Sequence, residues 1–399
     1  MGARAEGLPR FILLYAALFA GFGAASPFLP SFLSARGVPA AELGLVLGAA
    51  TAVRLIASPL AGRIADLAGN LRGVLSICCA LAAVAALLFL PAQGFWPLVA
   101  VTLLYAAALA PTTMLADALS VRRRFEYGWV RGTGSAMFIA GLLVSGQMVQ
   151  AVGLDVIVFL QATVLGAAVF TAARLPEIAH DRAAPSARRP AGGVAALLRI
   201  PVFVNLALAA ALILGSHAMH DAFAVIRWRE AGIGAGTASL LWSASVAAEV
   251  VVFFLIGPAL ISYLTPAGAI ALAAFAGMVR WIVMAHTTDV AVLWLVQPLH
   301  GLTFALLHLA AMRLIARTAP AGLEGTAQAL YGTGAGIATA LLTMVSGVLY
   351  ASAGARAFWA MAALCALALP VAWSLRRLLP VVDGEVPGLV AHAREPGGH

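Results

Sequence analysis

From Phe11 to Ser34 the chain runs twenty-four residues without a charged side chain, and stretches of this kind recur to its far end. A helix needs about 20 mostly apolar residues to cross a hydrocarbon core roughly 30 Å thick. Runs of this length therefore restrict the fold more than any other feature. Marking apolar runs between clusters of Arg, Pro and Gly gives twelve segments: 11–34, 42–65, 73–92, 95–121, 129–152, 154–174, 201–226, 237–262, 267–287, 290–316, 325–351 and 356–378. At 63% hydrophobic and 10% charged residues, the chain has too little polar surface for a soluble domain. The expected fold is an all-α integral membrane protein with twelve transmembrane helices. The first segment holds Pro27 and Pro30 and is too long for the apolar core of a secretory signal, so it reads as a retained helix.

All 24 basic residues are arginine, a usage that fits a GC-rich bacterial genome. With the N-terminus in the cytoplasm, 17 arginines fall in inner loops and tails and 4 in outer ones, while Arg54, Arg131 and Arg280 lie inside segments. By the positive-inside rule both termini are cytoplasmic, and a bacterial inner membrane is the expected location. The net charge of +8 forms no continuous basic face, which argues against a nucleic-acid partner. Cys78, Cys79 and Cys365 lie within apolar runs and have neither metal nor disulfide spacing. Neither cofactor nor metal is expected, and the protein is expected to work as a monomer. Arginine does not deprotonate, so any carried proton must ride on Asp, Glu or His.

The longest polar stretch, 176–200, divides the chain into a first bundle (1–175) and a second (201–379), followed by a tail (380–399). The halves resemble each other, as internally repeated transporters do. A shift of 195 residues superposes Gly62 on Gly257 and Arg54 on Glu249. A shift of 200 superposes Gly132-Thr133-Gly134 on Gly332-Thr333-Gly334, and each is followed by Val-Ser-Gly, at 144–146 and 345–347. The fold expected is two pseudo-symmetric six-helix bundles joined by a cytoplasmic linker.

After the second segment the chain reads Gly62-x3-Asp66-x2-Gly69-x2-Arg72. This pattern resembles the loop signature of the major facilitator superfamily, in which the glycines permit a tight turn and Asp66 acts at a helix end. Further stretches are Ala116-Asp117-Ala118-Leu119, Tyr127-Gly128-x-Val130-Arg131, Leu241-Trp242-Ser243, Ala248-Glu249-Val250, Val279-Arg280-Trp281 and Leu299-His300. Together they resemble the 3-phenylpropionate/cinnamate transporter family over nearly the whole chain. A more distant resemblance is to the lactose permease: Arg280 and His300 keep its helix 9 to helix 10 spacing of 20 residues. Glu249 resembles its helix 8 glutamate, and Asp117 with Arg131 its helix 4 and 5 pair. One departure matters, since Thr303 stands where the permease has its proton-carrying glutamate.

Depth follows from hairpin geometry, because residues equally far from a turn lie at equal depth at about 1.5 Å per residue. From a turn near Thr265, Glu249 and Arg280 are 16 and 15 residues away; from one near Asp289, Arg280 and His300 are 9 and 11 away. These three and Arg54 share a level near the midplane, while Asp117 and Arg131 pair nearer the cytoplasm. Charges at such depth are costly and usually functional, although a satisfied structural cluster is the plainer reading. Arg280, Glu249, His300, Arg131, Asp117, Arg54 and Trp242 are the candidate substrate-binding residues, with Arg280 or Arg131 holding a carboxylate. Glu249 and His300 are the candidate proton carriers. His217, His220 and Asp221 share a face of the seventh segment and read as a gate or helix-end bond. The resemblance implies proton symport of a small organic anion such as an aromatic carboxylate. A neutral sugar or nucleoside is the alternative, and export is a further one. A membrane enzyme lacks an accompanying nucleophile or metal set, and the repeat and loop signature argue against a channel.

Overall fold

A computed structural model describes residues 8–122, 127–175 and 193–378, without side-chain detail for 121–131. The described elements are helical throughout. They are α1 (Leu8–Ala25), α2 (Leu29–Ala35), α3 (Ala40–Ala68), α4 (Leu71–Leu88), α5 (Phe95–Arg122), α6 (Tyr127–Val152) and α7 (Val156–Ala173). After residue 192 come α8 (Gly193–Leu198), α9 (Pro201–Gly215), α10 (His217–Glu230) and α11 (Ala235–Val251). The series ends with α12 (Gly257–His286), α13 (Val290–Val296), α14 (Leu307–Thr318), α15 (Glu324–Ala353) and α16 (Phe358–Leu378).

Among the described residues ten helices or helix runs are long and apolar enough to cross a membrane, and two of them, Ala235–His286 and Glu324–Leu378, have double length. The first breaks at Thr265, whose backbone is left-handed (φ 64°) ahead of Pro266. The second breaks at Gly354, with φ 54°. Each therefore makes two crossings, and the count is twelve. A straight helix would put Glu249 and Arg280 about 46 Å apart. Instead His300 touches both side chains, so the chain reverses at Thr265. Large apolar side chains such as Ile56, Leu81, Phe159, Leu255 and Trp373 face outward, as lipid contact demands.

Helix ends follow local chemistry. Gly69 takes the left-handed C-cap of α3 (φ 65°), and the Asn70 N–H donates to the Ala65 carbonyl at 3.1 Å. Asn70 then caps α4 by accepting from the Gly73 N–H at 2.7 Å. Arg72 ties this loop to the end of the sixth crossing by donating to the Leu175 carbonyl at 2.9 Å. Asp66 is exposed. Most of the expected linker, 176–192, and the tail after 378 lie outside the described residues, but α8 occupies the linker's last part with Leu197 buried.

Glycines bring the first six crossings against the last six. A Cβ on Gly44 of α3 would lie 2.5 Å from the Gly347 Cα of α15, and one on Gly146 of α6 would lie 2.1 Å from the Ser239 Oγ of α11. Gly44 and Ser239 are 195 residues apart, the offset of the sequence repeat. These contacts close one end of the molecule. Toward the other end Gly132, Gly332 and Gly334 have nothing within 4 Å.

Candidate functional site

Where the halves part, they enclose a cavity of about 510 Å³, within the usual size of a small-molecule site. Its apolar wall includes Phe22, Tyr105 and Phe138 from one half and Trp242 and Phe304 from the other. Phe28 and Trp281 are fully buried instead. Four charged or titratable positions of the last six crossings reach the cavity: His217, Asp221, Glu249 and His300. Arg54 of α3 lines it from the first six and is exposed there. Among the described residues no carboxylate lies within ion-pair distance of Arg54. Arg54 and Glu249, which the repeat superposes, thus stand on opposite walls.

Arg280 is fully buried and does not reach the cavity. Its Nη1 donates to His300 Nδ1 at 3.0 Å, and its Nη2 donates to His220 Nε2 at 3.2 Å and to Gln297 Oε1 at 2.6 Å. Gln297 Oε1 also accepts from Ser245 Oγ at 3.0 Å. A guanidinium has only donors, so both imidazole nitrogens facing it must accept. His300 then carries its proton on Nε2, which stands 2.7 Å from Glu249 Oε1. Donor and acceptor matching makes His300 a neutral donor to Glu249, fixed in one tautomer from behind by Arg280.

Local irregularities build this arrangement. A π-helical turn (Val252–Ile256) follows Glu249, and another (Leu302–Leu306) follows His300; a 3₁₀ turn (Gln297–Leu299) containing Pro298 precedes it. Such turns re-aim side chains and are frequent at functional sites. Gly301 is the close-approach point: a Cβ there would meet the Ala248 carbonyl oxygen at 2.6 Å. Its absence lets the two strands of backbone that carry Glu249 and His300 come together.

The other expected positions fall elsewhere. Asp117 is half-buried, accepts a hydrogen bond from the Tyr15 hydroxyl and does not line the cavity. The Arg131 side chain lies outside the described residues, and with it the expected pairing to Asp117. Trp242 lines the cavity, its ring 4.6 Å from that of His220. The seventh crossing continues through Ser216, whose backbone stays helical, and places His217 and Asp221 on the cavity wall and His220 against Arg280. Gln297 is the residue that sequence reasoning missed, and its only signal was a polar side chain just before Pro298 in an apolar run.

The profile of the MFS_1 like family matches residues 9–361. The chain belongs to that family. Like other MFS_1 like proteins it is a multi-pass membrane transporter. It is 32% identical over 381 residues to a probable 3-phenylpropionic acid transporter of Escherichia coli (strain K12), covering 92% of this chain and 96% of that protein. A maltose permease of Geobacillus stearothermophilus is 27% identical over 350 residues, 85% of this chain and 86% of the permease. The crystal structure of a mutant of the nucleoside transporter NupG shares the MFS fold with a TM-score of 0.81 at 17% identity, covering 93% of this chain and 99% of that one.

Proposed function

We propose that the protein is a proton-coupled symporter that imports a small organic anion, with an aromatic carboxylate as its substrate class. The observation that carries this reading is Arg54, a cation open to an aromatic-walled cavity with no ion-pair partner among the described residues. Arginine suits bidentate pairing with a carboxylate, and the 32% identity to a probable 3-phenylpropionic acid transporter points the same way. Arg54 takes the substrate-holding role that the sequence suggested for Arg280 or Arg131, since Arg280 is sealed behind two histidines and the Arg131 side chain lies outside the described residues.

Glu249 is the proton carrier in this scheme. His300 cannot accept a second proton on Nδ1 while Arg280 donates to it, whereas Glu249 faces the cavity. Two carboxylates sharing one enclosed site disfavour each other's charged form, so an arriving anion favours proton uptake at Glu249. The affinity change is reciprocal, and this linkage is what symport needs. The halves rock about the central site, with both termini in the cytoplasm of a bacterial cell and the protein acting as a monomer.

The test is uptake of labelled 3-phenylpropionate into membrane vesicles with an imposed proton gradient, in competition with other carboxylates, maltose and nucleosides. Accumulation that collapses with the gradient and is displaced by carboxylates is expected. Displacement by maltose or a nucleoside but not by carboxylates would establish the neutral-substrate reading instead.

A further inference from the structure

Asp221 takes no part in the scheme above, yet it stands to Arg280 as Glu249 does. His220 accepts from Arg280 on Nε2, so it carries its proton on Nδ1, which lies 3.1 Å from Asp221 Oδ1. One guanidinium thus holds two neutral histidines, and each turns an N–H to a carboxylate. Both carboxylates line the cavity with oxygen lone pairs left over. Between them stands His217, 5% exposed, which also lines the cavity and whose Nε2 has no hydrogen-bond partner. The ring of His217 is 4.8 Å from that of His300. Facing this corner are Arg54 across the cavity and Thr339 and Thr343 of α15.

An apolar ring tip seated here would strip water from the Asp221 carboxylate and leave its remaining lone pairs unsatisfied, which binding penalises heavily. A hydroxyl has a hydrogen to give the Asp221 carboxylate, and an ether has none. We infer that the substrate is a hydroxylated aromatic carboxylate whose carboxylate sits on Arg54 and whose hydroxyl donates to Asp221. Its ring lies between them, among Phe22, Phe138 and Trp242. This inference rests on the anionic reading of the cavity and adds the group at the opposite end.

The experiment measures binding to the purified full-length protein by ligand-dependent thermal shift and calorimetry. The probes are 3-phenylpropionate and its ring-hydroxylated and ring-methoxylated counterparts. A hydroxylated form should bind about ten- to a hundredfold tighter than the parent, the value of a hydrogen bond to a charged group. The methoxy form should show no such gain, and Asp221→Asn should collapse the ratio. Equal affinity for parent and hydroxylated forms in the unaltered protein overturns the inference and leaves the anionic reading standing. Failure of every carboxylate to bind overturns both. The ligand series decides the matter even if Asp221→Asn does not fold.

Discussion

Gly301→Ala tests whether the Glu249–His300 contact, rather than the mere presence of both residues, is what couples proton to substrate. The added Cβ would lie 2.6 Å from the Ala248 carbonyl oxygen, 2.8 Å from its carbon and 2.9 Å from Val252 Cγ2. Two of these three are backbone atoms, so no side-chain rotation relieves them. Moving the first from 2.6 Å to the 3.4 Å of ordinary contact needs a separation of about 0.8 Å. Ala248 and Gly301 are the immediate neighbours of Glu249 and His300. The same movement carries the 2.7 Å contact between those side chains to about 3.5 Å, beyond hydrogen-bonding range. Overpacking of this kind costs about 1–3 kcal/mol, and a lost hydrogen bond to a charged group about 1.5–3 kcal/mol. The variant should melt below the parent and accumulate substrate at least about tenfold less under a proton gradient. Counterflow exchange in the same vesicles, which needs no net proton movement, should persist. Gly332→Ala, where nothing lies within 4 Å, is the matched control. Undiminished gradient-driven accumulation in folded Gly301→Ala would refute the role assigned to this contact.

Five further outcomes follow from the same geometry. Glu249→Gln, which mimics the protonated state, should exchange preloaded substrate but not concentrate it; if it still concentrates while His300→Gln does not, the proton belongs to His300. Arg280→Gln removes the donor that holds two histidines and Gln297, hydrogen bonds from a charged group worth about 1.5–3 kcal/mol each, and should lower the melting temperature. Arg54→Gln should melt like the parent yet lose stabilisation by carboxylates. Around the cavity Arg54 and Arg280 balance Asp221 and Glu249, so one anion with one proton leaves the balance unchanged. Uptake should therefore follow a pH gradient, and acceleration by an inside-negative potential at clamped pH would count against that balance. Finally, Ala321→Cys at the open end should resist an impermeant thiol reagent in intact cells, against a low background because Cys78, Cys79 and Cys365 are all buried.

The fold was legible because bilayer thickness sets segment length directly, and a hairpin converts residue counts into depth. The turn placed near Thr265 is where the backbone breaks, so Glu249, Arg280 and His300 were grouped correctly from counting alone. Counting gives depth but not azimuth. It could not show that Arg280 points away from the cavity, or that Arg54 alone among the described arginines points into it. Nor could an α-helical periodicity anticipate the turns that follow Glu249 and His300, since a π-helical turn rotates everything beyond it. Gly301 looked like any other small residue in an apolar run, because its role depends on a neighbouring crossing.

The placement of Arg54 and Glu249 bears on how a ligand could drive the halves. A ligand shifts a conformational equilibrium only through contacts that differ between the states. One that touched a single half would travel with it and keep the same contacts throughout. A carboxylate on Arg54 joined through a ring to a hydroxyl on the Asp221–Glu249 wall spans the two halves, so rocking must stretch or form one of its ends. The closed end is suited to a small driving force. Gly44 against Gly347 and Gly146 against Ser239 are approaches of backbone and small side chains, which part without exposing much apolar surface. The N-terminus of α11 is capped from the other half, its Gly236 N–H donating to Gln150 Oε1 at 3.0 Å, and water can replace that bond when the end opens. The charged cluster, by contrast, lies wholly within the last six crossings. It can therefore stay intact under the proposed rocking of the halves, and a proton taken up by Glu249 would travel with the half that holds it.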